Sequence, residues 1–209
     1  MYIPAAFEVA EHDLISAFLK EVPFGCLVTH GLEGLFASHL PFLYQAEPSM
    51  LVGHLAAANP HQGKAGNEEA LAIFQGPNAY VSPGWYPSKI EHGKVVPTWN
   101  YEVIHVYGRL TWHNSAIWLR SFVSKLTDTF EAAQNHPWSI SDAPDDYIER
   151  QLGVIVGVEL HITRIEAKRK LSQNRSEQDQ QGVRTALANS ADVRDVAVSK
   201  AMCRTSARP

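Results

Sequence analysis

The chain has 209 residues, 45% hydrophobic and 19% charged, the balance of a globular protein with enough apolar mass to bury a core. Its net charge of −4 excludes a surface built throughout to hold nucleic acid. Only Cys26 and Cys203 are present, which supports neither a disulfide framework nor a zinc ribbon, and with no leader pattern or long apolar run a cytoplasmic, unanchored protein is expected.

After an extended lead-in with Pro4, residues 12–20 place Leu14, Ile15, Phe18 and Leu19 on one helical face, and Pro23 ends that helix. Residues 24–30 (FGCLVTH), a glycine turn at 31–34 and residues 35–43 (LFASHLPFL) have the pattern of a β-hairpin. Residues 50–55 (MLVGHL) supply a third strand. Asn59-Pro60 then reads as a helix N-cap followed by proline at the first helical position, which leaves amide donors free for an anion. Two more strands are predicted at 70–75 and 78–82 around Gly76-Pro77, and a long one at 101–112 (YEVIHVYGRLTW), which makes six in the first half.

Residues 80–101 (YVSPGWYPSKIEHGKVVPTWNY) are punctuated by Pro83, Pro87 and Pro97. Proline fixes φ and keeps the preceding residue out of the helical region, so the spacing predicts a stiff, extended loop. Trp85, Tyr86 and Trp99 give it flat apolar faces beside hydroxyl, ammonium and amide donors, a mixture that suits a flat heteroaromatic ligand carrying a phosphate.

Residues 117–133 repeat Trp118, Phe122, Leu126 and Phe130 at a spacing of four, with Ile117, Leu119 and Val123 widening the stripe, and predict an amphipathic helix packed on the sheet. Pro144-Asp145-Asp146 opens a short helix, and residues 153–165 (GVIVGVELHITRI) form a last strand, bulged at Gly157. Residues 176–209 are helix-prone, with Leu187, Val193, Val196, Ala197, Ala201 and Met202 available for docking. The partition is one domain over 1–175 with a helical segment over 176–209 packed on it.

The ten histidines are scattered and match no HExxH or Cys/His ligand pattern, so no metal site is expected. Nor is there a GxSxG elbow, a GxGxxG or P-loop, a carboxylate pair or a triad, and Cys26 lies in an apolar strand where its thiol is inert. No catalytic residue is assigned. The remaining signal recurs at 168–175 (KRKLSQNR), placed just after the last strand, where four cations alternate with Ser172, Gln173 and Asn174. That composition fits a solvated loop and a defined anion site equally.

MYIPAAF at 1–7, SHLPF at 38–42, GHLAAANPH at 53–61, AYVSPGWYPSK at 79–89, GKVVPTWNY at 93–101, HVYGR at 105–109, KLSQNR at 170–175 and DQQGV at 179–183 together resemble the PaiB-type FMN-binding negative transcriptional regulators. Ala57 and His61 stand where that family usually has arginine and glutamine, and Ala167 and Arg169 where glycine and tryptophan are common. The resemblance implies an α+β fold, an FMN-binding split β-barrel of the pyridoxamine-phosphate-oxidase type with six or seven strands and peripheral helices. It also implies a homodimer with FMN between the subunits.

By motif position, the cofactor-binding residues are Ser38, His39, Leu40, His54, Asn59, Lys64, Trp99, Asn100, Lys170, Ser172, Gln173 and Arg175. The phosphate is expected near His54, Asn59 and Lys64, with Trp99 and Asn100 closing from the central loop. Two functions follow: a flavin-binding transcriptional regulator, or a flavin-dependent oxidoreductase acting on a small molecule. No helix-turn-helix is recognisable, and the best DNA-contacting stretch is 164–175, with five cations against Glu166.

Overall fold

The computed structural model describes residues 1–64 and 69–206, excluding the side chains of residues 63, 64, 205 and 206. The elements in chain order are α1 (His12–Glu21), β1 (Phe24–Gly31), β2 (Gly34–Pro41), β3 (Leu43–Gln45), β4 (Met50–Ala56), α2 (His61–Lys64), β5 (Ala70–Val81), α3 (Ser88–His92), β6 (Thr98–His113), α4 (Ala116–Glu131), α5 (Asp145–Leu152), β7 (Ile155–Lys170), α6 (Glu177–Ala188) and α7 (Val193–Ser206). The strands form one seven-stranded sheet in the order β2-β1-β5-β6-β7-β4-β3. β1 pairs with β2 and β5, and β4 with β3 and β7, all antiparallel. No described helix is long and apolar enough to cross a membrane.

The six strands expected in the first half are present with two boundaries redrawn. The apolar run 35–43 is two strands: β2 pairs with β1, a ladder that Phe42 extends by donating its N–H to Pro23 O at 2.8 Å, and from Leu43 the chain pairs with β4 as β3. Conversely Gly76-Pro77 does not interrupt β5, which runs unbroken for 12 residues. The segment 80–101 is not the extended loop that its prolines predict. Pro83–Trp85 is a turn of 3-10 helix, with Ser82 Oγ accepting from Gly84 N–H, and α3 follows Pro87, itself in the helical region at φ −53°. Both prolines stand at helix starts, where a missing N–H costs nothing.

Contacts divide the chain into two compact units. The first comprises Met1–Ile15, Phe74–His105 and Glu166–Pro209. Its core gathers Ala79, Val81, Tyr86, Leu171, Val183, Leu187, Val198, Ala201 and Met202. α6 and α7 therefore close over the end of β5 and the turn that follows it. Val193, one of the residues expected to dock, is 80% exposed, and Val198 is buried in its stead.

The DQQGV stretch explains how this packing is pinned. Asp179 accepts the Ser88 N–H at 3.1 Å and the Ser88 hydroxyl at 2.8 Å, while its own N–H donates to Ser176 Oγ, the α6 N-cap. Burial works to raise the Asp179 pKa, but these hydrogen bonds and the Arg175 charge outweigh it and hold the carboxyl below its ordinary range. A Cβ at Gly182 would collide with the Trp85 carbonyl, so glycine is required where α6 crosses that turn.

The second unit comprises Ser16–Ile73 and Val106–Ile165. β1 alternates as a half-buried strand must, with Gly25, Leu27 and Thr29 inward. α4 lays Phe122 and Leu126 on Leu43, Met50 and Val52, while Leu119 packs on Ile148 and Leu152 of α5. Ile117 and Phe130 lie outside that stripe, 86% and 43% exposed. Gly157 is not a bulge: it holds regular register opposite His54. Its missing Cβ makes room for the Trp118 indole, which no side chain at 157 would allow.

Candidate functional site

Six of the twelve residues singled out from sequence lie in the second unit and six in the first. In the second unit, the hydroxyl of buried Ser38 accepts from Asn59 Nδ2 at 3.1 Å and lies 2.8 Å from His61 Nδ1. His61 is fully buried, its Nε2 is 2.9 Å from Thr29 Oγ1, and burial pushes its pKa down, so the ring is neutral and locked between two hydroxyls. Asn59 Oδ1 accepts the His61 N–H at 3.0 Å.

This corrects the anion site expected at Asn59-Pro60. α2 has only four residues, and the amide at its start is already bonded to the Asn59 side chain. Leu40 is core, 2% exposed. His39, on the opposite face of β2, is exposed and stacks on Phe24 with centroids 6.3 Å apart. His54 meets the Phe122 ring edge-on and is held below its ordinary pKa by burial, and its buried Nδ1 has no hydrogen-bond partner among the described residues. The Lys64 side chain lies outside the described residues.

In the first unit, Asn100 is fully buried, and its Nδ2 donates to Ser172 Oγ at 3.0 Å and approaches Met202 Sδ at 3.8 Å. Ser172 holds a left-handed φ of 68°. Gln173 Oε1 accepts from Leu171 N–H and its Nε2 donates to Arg169 O, both at 2.6 Å, so its amide shapes the turn after β7. Asn100, Ser172 and Gln173 are therefore committed inside the protein.

Trp99, Lys170 and Arg175 are different. Trp99 is 49% exposed, donates through Nε1 to Asn78 Oδ1 and meets Tyr80 edge-on. Lys170 Nζ donates to Thr98 Oγ1 at 2.6 Å and to Trp99 O at 2.7 Å, which leaves one of its three N–H donors. Burial, then the charges of Lys168 and Arg175, lower its pKa, so an anion there would favour the charged ammonium. The Arg175 guanidinium lies 5.3 Å from the Tyr86 ring centroid.

Residues 168–170 belong to β7 and do not form a loop after it. Arg169 Nε is 2.6 Å from Glu102 Oε1 with both side chains almost fully buried. Lys168 Nζ donates to Tyr2 O at 3.2 Å and lies 5.3 Å from the Tyr101 centroid. Arg164 covers the Tyr107 ring at 3.6 Å. All five cations of 164–175 are thus engaged by neighbours. Strand parity would have sorted the β2 residues, since alternate residues there face inward, but in β7 the consecutive residues Ala167, Lys168 and Arg169 are all buried, and Thr29, Glu102 and Asp179 are polar partners that no parity rule pairs.

Among the described residues no group of three His, Cys, Asp or Glu side chains can hold a metal ion. Cys26 and Cys203 are free thiols, and burial pushes the Cys26 pKa up, away from the reactive thiolate.

This α+β architecture is the split barrel of the flavin-binding class. Two solved structures share it: the flavocytochrome Anf3 from Azotobacter vinelandii, with TM-score 0.59 at 10% identity, covering 82% of this chain and 73% of that one, and an FAD and heme binding protein from Mycobacterium smegmatis, with TM-score 0.57 at 14% identity, covering 82% and 78%. Residues 1–164 match the family described as "Putative FMN-binding domain", and the chain belongs to that family. It is also 33% identical to the Bacillus subtilis (strain 168) protease synthase and sporulation protein PAI 2, over 90% of each chain.

FMN is the cofactor this membership supports, and the residues fit it. FMN needs a cation or dipole for its phosphate and flat apolar faces for its rings. In the first unit, the Lys170 ammonium with one donor left and the half-exposed Trp99 face are groups of those kinds.

Proposed function

We propose that the protein is an FMN-binding transcriptional regulator of the PaiB type, a cytoplasmic homodimer with FMN held between subunits. In this reading residues 1–175 form the flavin domain and 176–209 a helical segment packed on it. The observation that carries the reading is how ten of the twelve residues divide, Leu40 being core and the Lys64 side chain lying outside the described residues, into those committed to internal hydrogen bonds and those that keep an exposed face or an unused polar atom. The first group, Ser38, Asn59, Asn100, Ser172 and Gln173, fixes backbone. The second, His39, His54, Trp99, Lys170 and Arg175, binds. FMN when bound supplies electron or hydride chemistry of its own, so the chain has only to bind, orient and exclude water.

Regulation in this reading does not run through base reading by residues 164–175. Specific readout requires side chains presented to base edges, and these five cations lie on aromatic rings, backbone carbonyls and carboxylates of the same chain. The name of the Bacillus subtilis relative, protease synthase and sporulation protein PAI 2, supports a regulatory output.

Three measurements test the reading. FMN titration should quench flavin fluorescence and raise the melting temperature. Light scattering should give twice the 23.2 kDa protomer mass. NADH or NADPH oxidation with added FMN should be slow. Rapid turnover, with no mobility shift of the protein's own upstream DNA at physiological salt, would establish a flavin-dependent oxidoreductase in its place.

A further inference from the structure

A cavity of about 220 Å³ opens in the second unit between the end of α1, the chain around β3 and the last turns of α4. Leu19, Phe42, Leu43 and Phe130 line it, and Lys20 and Lys125 bring the only charges among the described residues. None of the eleven cofactor-binding candidates whose side chains are described contributes to its wall. We propose that this cavity is a second ligand site, for a small hydrophobic monocarboxylate.

Three observations select that class. Leu19 and Phe42 are 1% exposed and form a floor of core side chains, whereas Phe130 is 43% exposed at the mouth, so the site runs from a dry interior to a wet rim. Such a gradient takes a ligand with one apolar and one polar end. The rim charge is of one sign: Lys20 and Lys125 have no carboxylate partner among the described residues, and no acidic side chain lines the cavity. Two exposed ammonium groups beside an apolar floor favour a carboxylate over a neutral molecule of the same shape. Size supplies the third. The volume is below the roughly 300–1,000 Å³ of sites for drug-sized ligands, which limits the occupant to one ring or a short alkyl chain with its acid group.

The inference is independent of the flavin reading, and its failure would leave FMN binding untouched. The test titrates the full-length protein with phenylacetate, hexanoate and phenylacetamide, the neutral counterpart of the first, and follows the resonances of Leu19, Phe42, Leu43 and Phe130. Expected are saturable shifts with both acids, affinity at least about fivefold weaker for phenylacetamide, and a similar loss for the acids in Lys20→Gln/Lys125→Gln. FMN titration of that double variant should match the parent, which also checks that it folds. Equal affinity for phenylacetate and phenylacetamide, unchanged acid binding in the double variant, or shifts confined to other residues would overturn the proposal.

Discussion

Asn100 and Ser172, 72 positions apart in the chain, are joined by a buried hydrogen bond of 3.0 Å between Asn100 Nδ2 and Ser172 Oγ. The bond ties the start of β6 to the turn after β7, and it holds Ser172 in a left-handed conformation that non-glycine residues adopt at a cost of about 1–2 kcal/mol. Asn100→Ala removes the partner and leaves a buried hydroxyl behind, so it should destabilise the fold by about 1–3 kcal/mol. Ser172→Ala loses the bond and keeps the strain, whereas Ser172→Gly loses the bond and relieves it. Urea denaturation should therefore rank Ser172→Gly above Ser172→Ala. The reverse order would mean that the conformation carries no strain.

The pair Arg169–Glu102 makes a sharper prediction. Its groups are 2.6 Å apart with side chains 11% and 3% exposed, so neither is solvated when the other is removed. Glu102→Ala leaves a buried guanidinium and should cost about 3–5 kcal/mol, while replacing both by apolar residues of similar volume should recover most of that loss. A double-mutant cycle in guanidinium chloride reads the difference.

These two contacts also mark what the sequence made legible. Strand positions, the α4 stripe and the closing helices followed from periodicity and turn chemistry, because those are local. The split at Phe42, the unbroken β5 and the helical turn after Pro87 did not, since each is decided by a partner distant in the chain or by which end of a helix a proline occupies. Motif position named the members of two hydrogen-bonded clusters, one in each unit, but not their inner order. Ser38, His39 and Leu40 are consecutive in a motif, yet strand alternation sends His39 outward and the other two inward. Asn100 and Gln173 resemble ligand donors until their amides are seen bonded to Ser172 and to backbone.

Acid should weaken the fold through its buried imidazoles. Burial holds His54 and His61 below the ordinary histidine pKa of 6.5 in the folded state. Between the folded and the unfolded values the unfolded chain binds more protons, so stability rises with pH and is lost as pH falls below that ordinary value. Thermal unfolding between about pH 5 and pH 8 should show this slope, and His61→Gln should flatten it. A parent protein whose melting temperature is level across that window would contradict the burial of these rings.

Flavin affinity should separate the two groups of site residues. Lys170 offers one N–H beyond Thr98 and Trp99, and its ammonium is destabilised by burial and by Lys168 and Arg175, so an anionic ligand gains both a hydrogen bond and a charge partner. Lys170→Met should weaken FMN binding by about 1–3 kcal/mol, or roughly five- to a hundred-fold, with little change in stability. Because an anion favours the charged ammonium, FMN binding to the parent should also fall as pH rises through the lowered Lys170 pKa, and the Met variant should lose that dependence. Trp99→Ala should weaken binding by loss of its exposed face, while Gln173→Ala should act mainly on stability through the turn it holds. Equal FMN affinity in Lys170→Met, Trp99→Ala and the parent would place the flavin away from this cluster altogether.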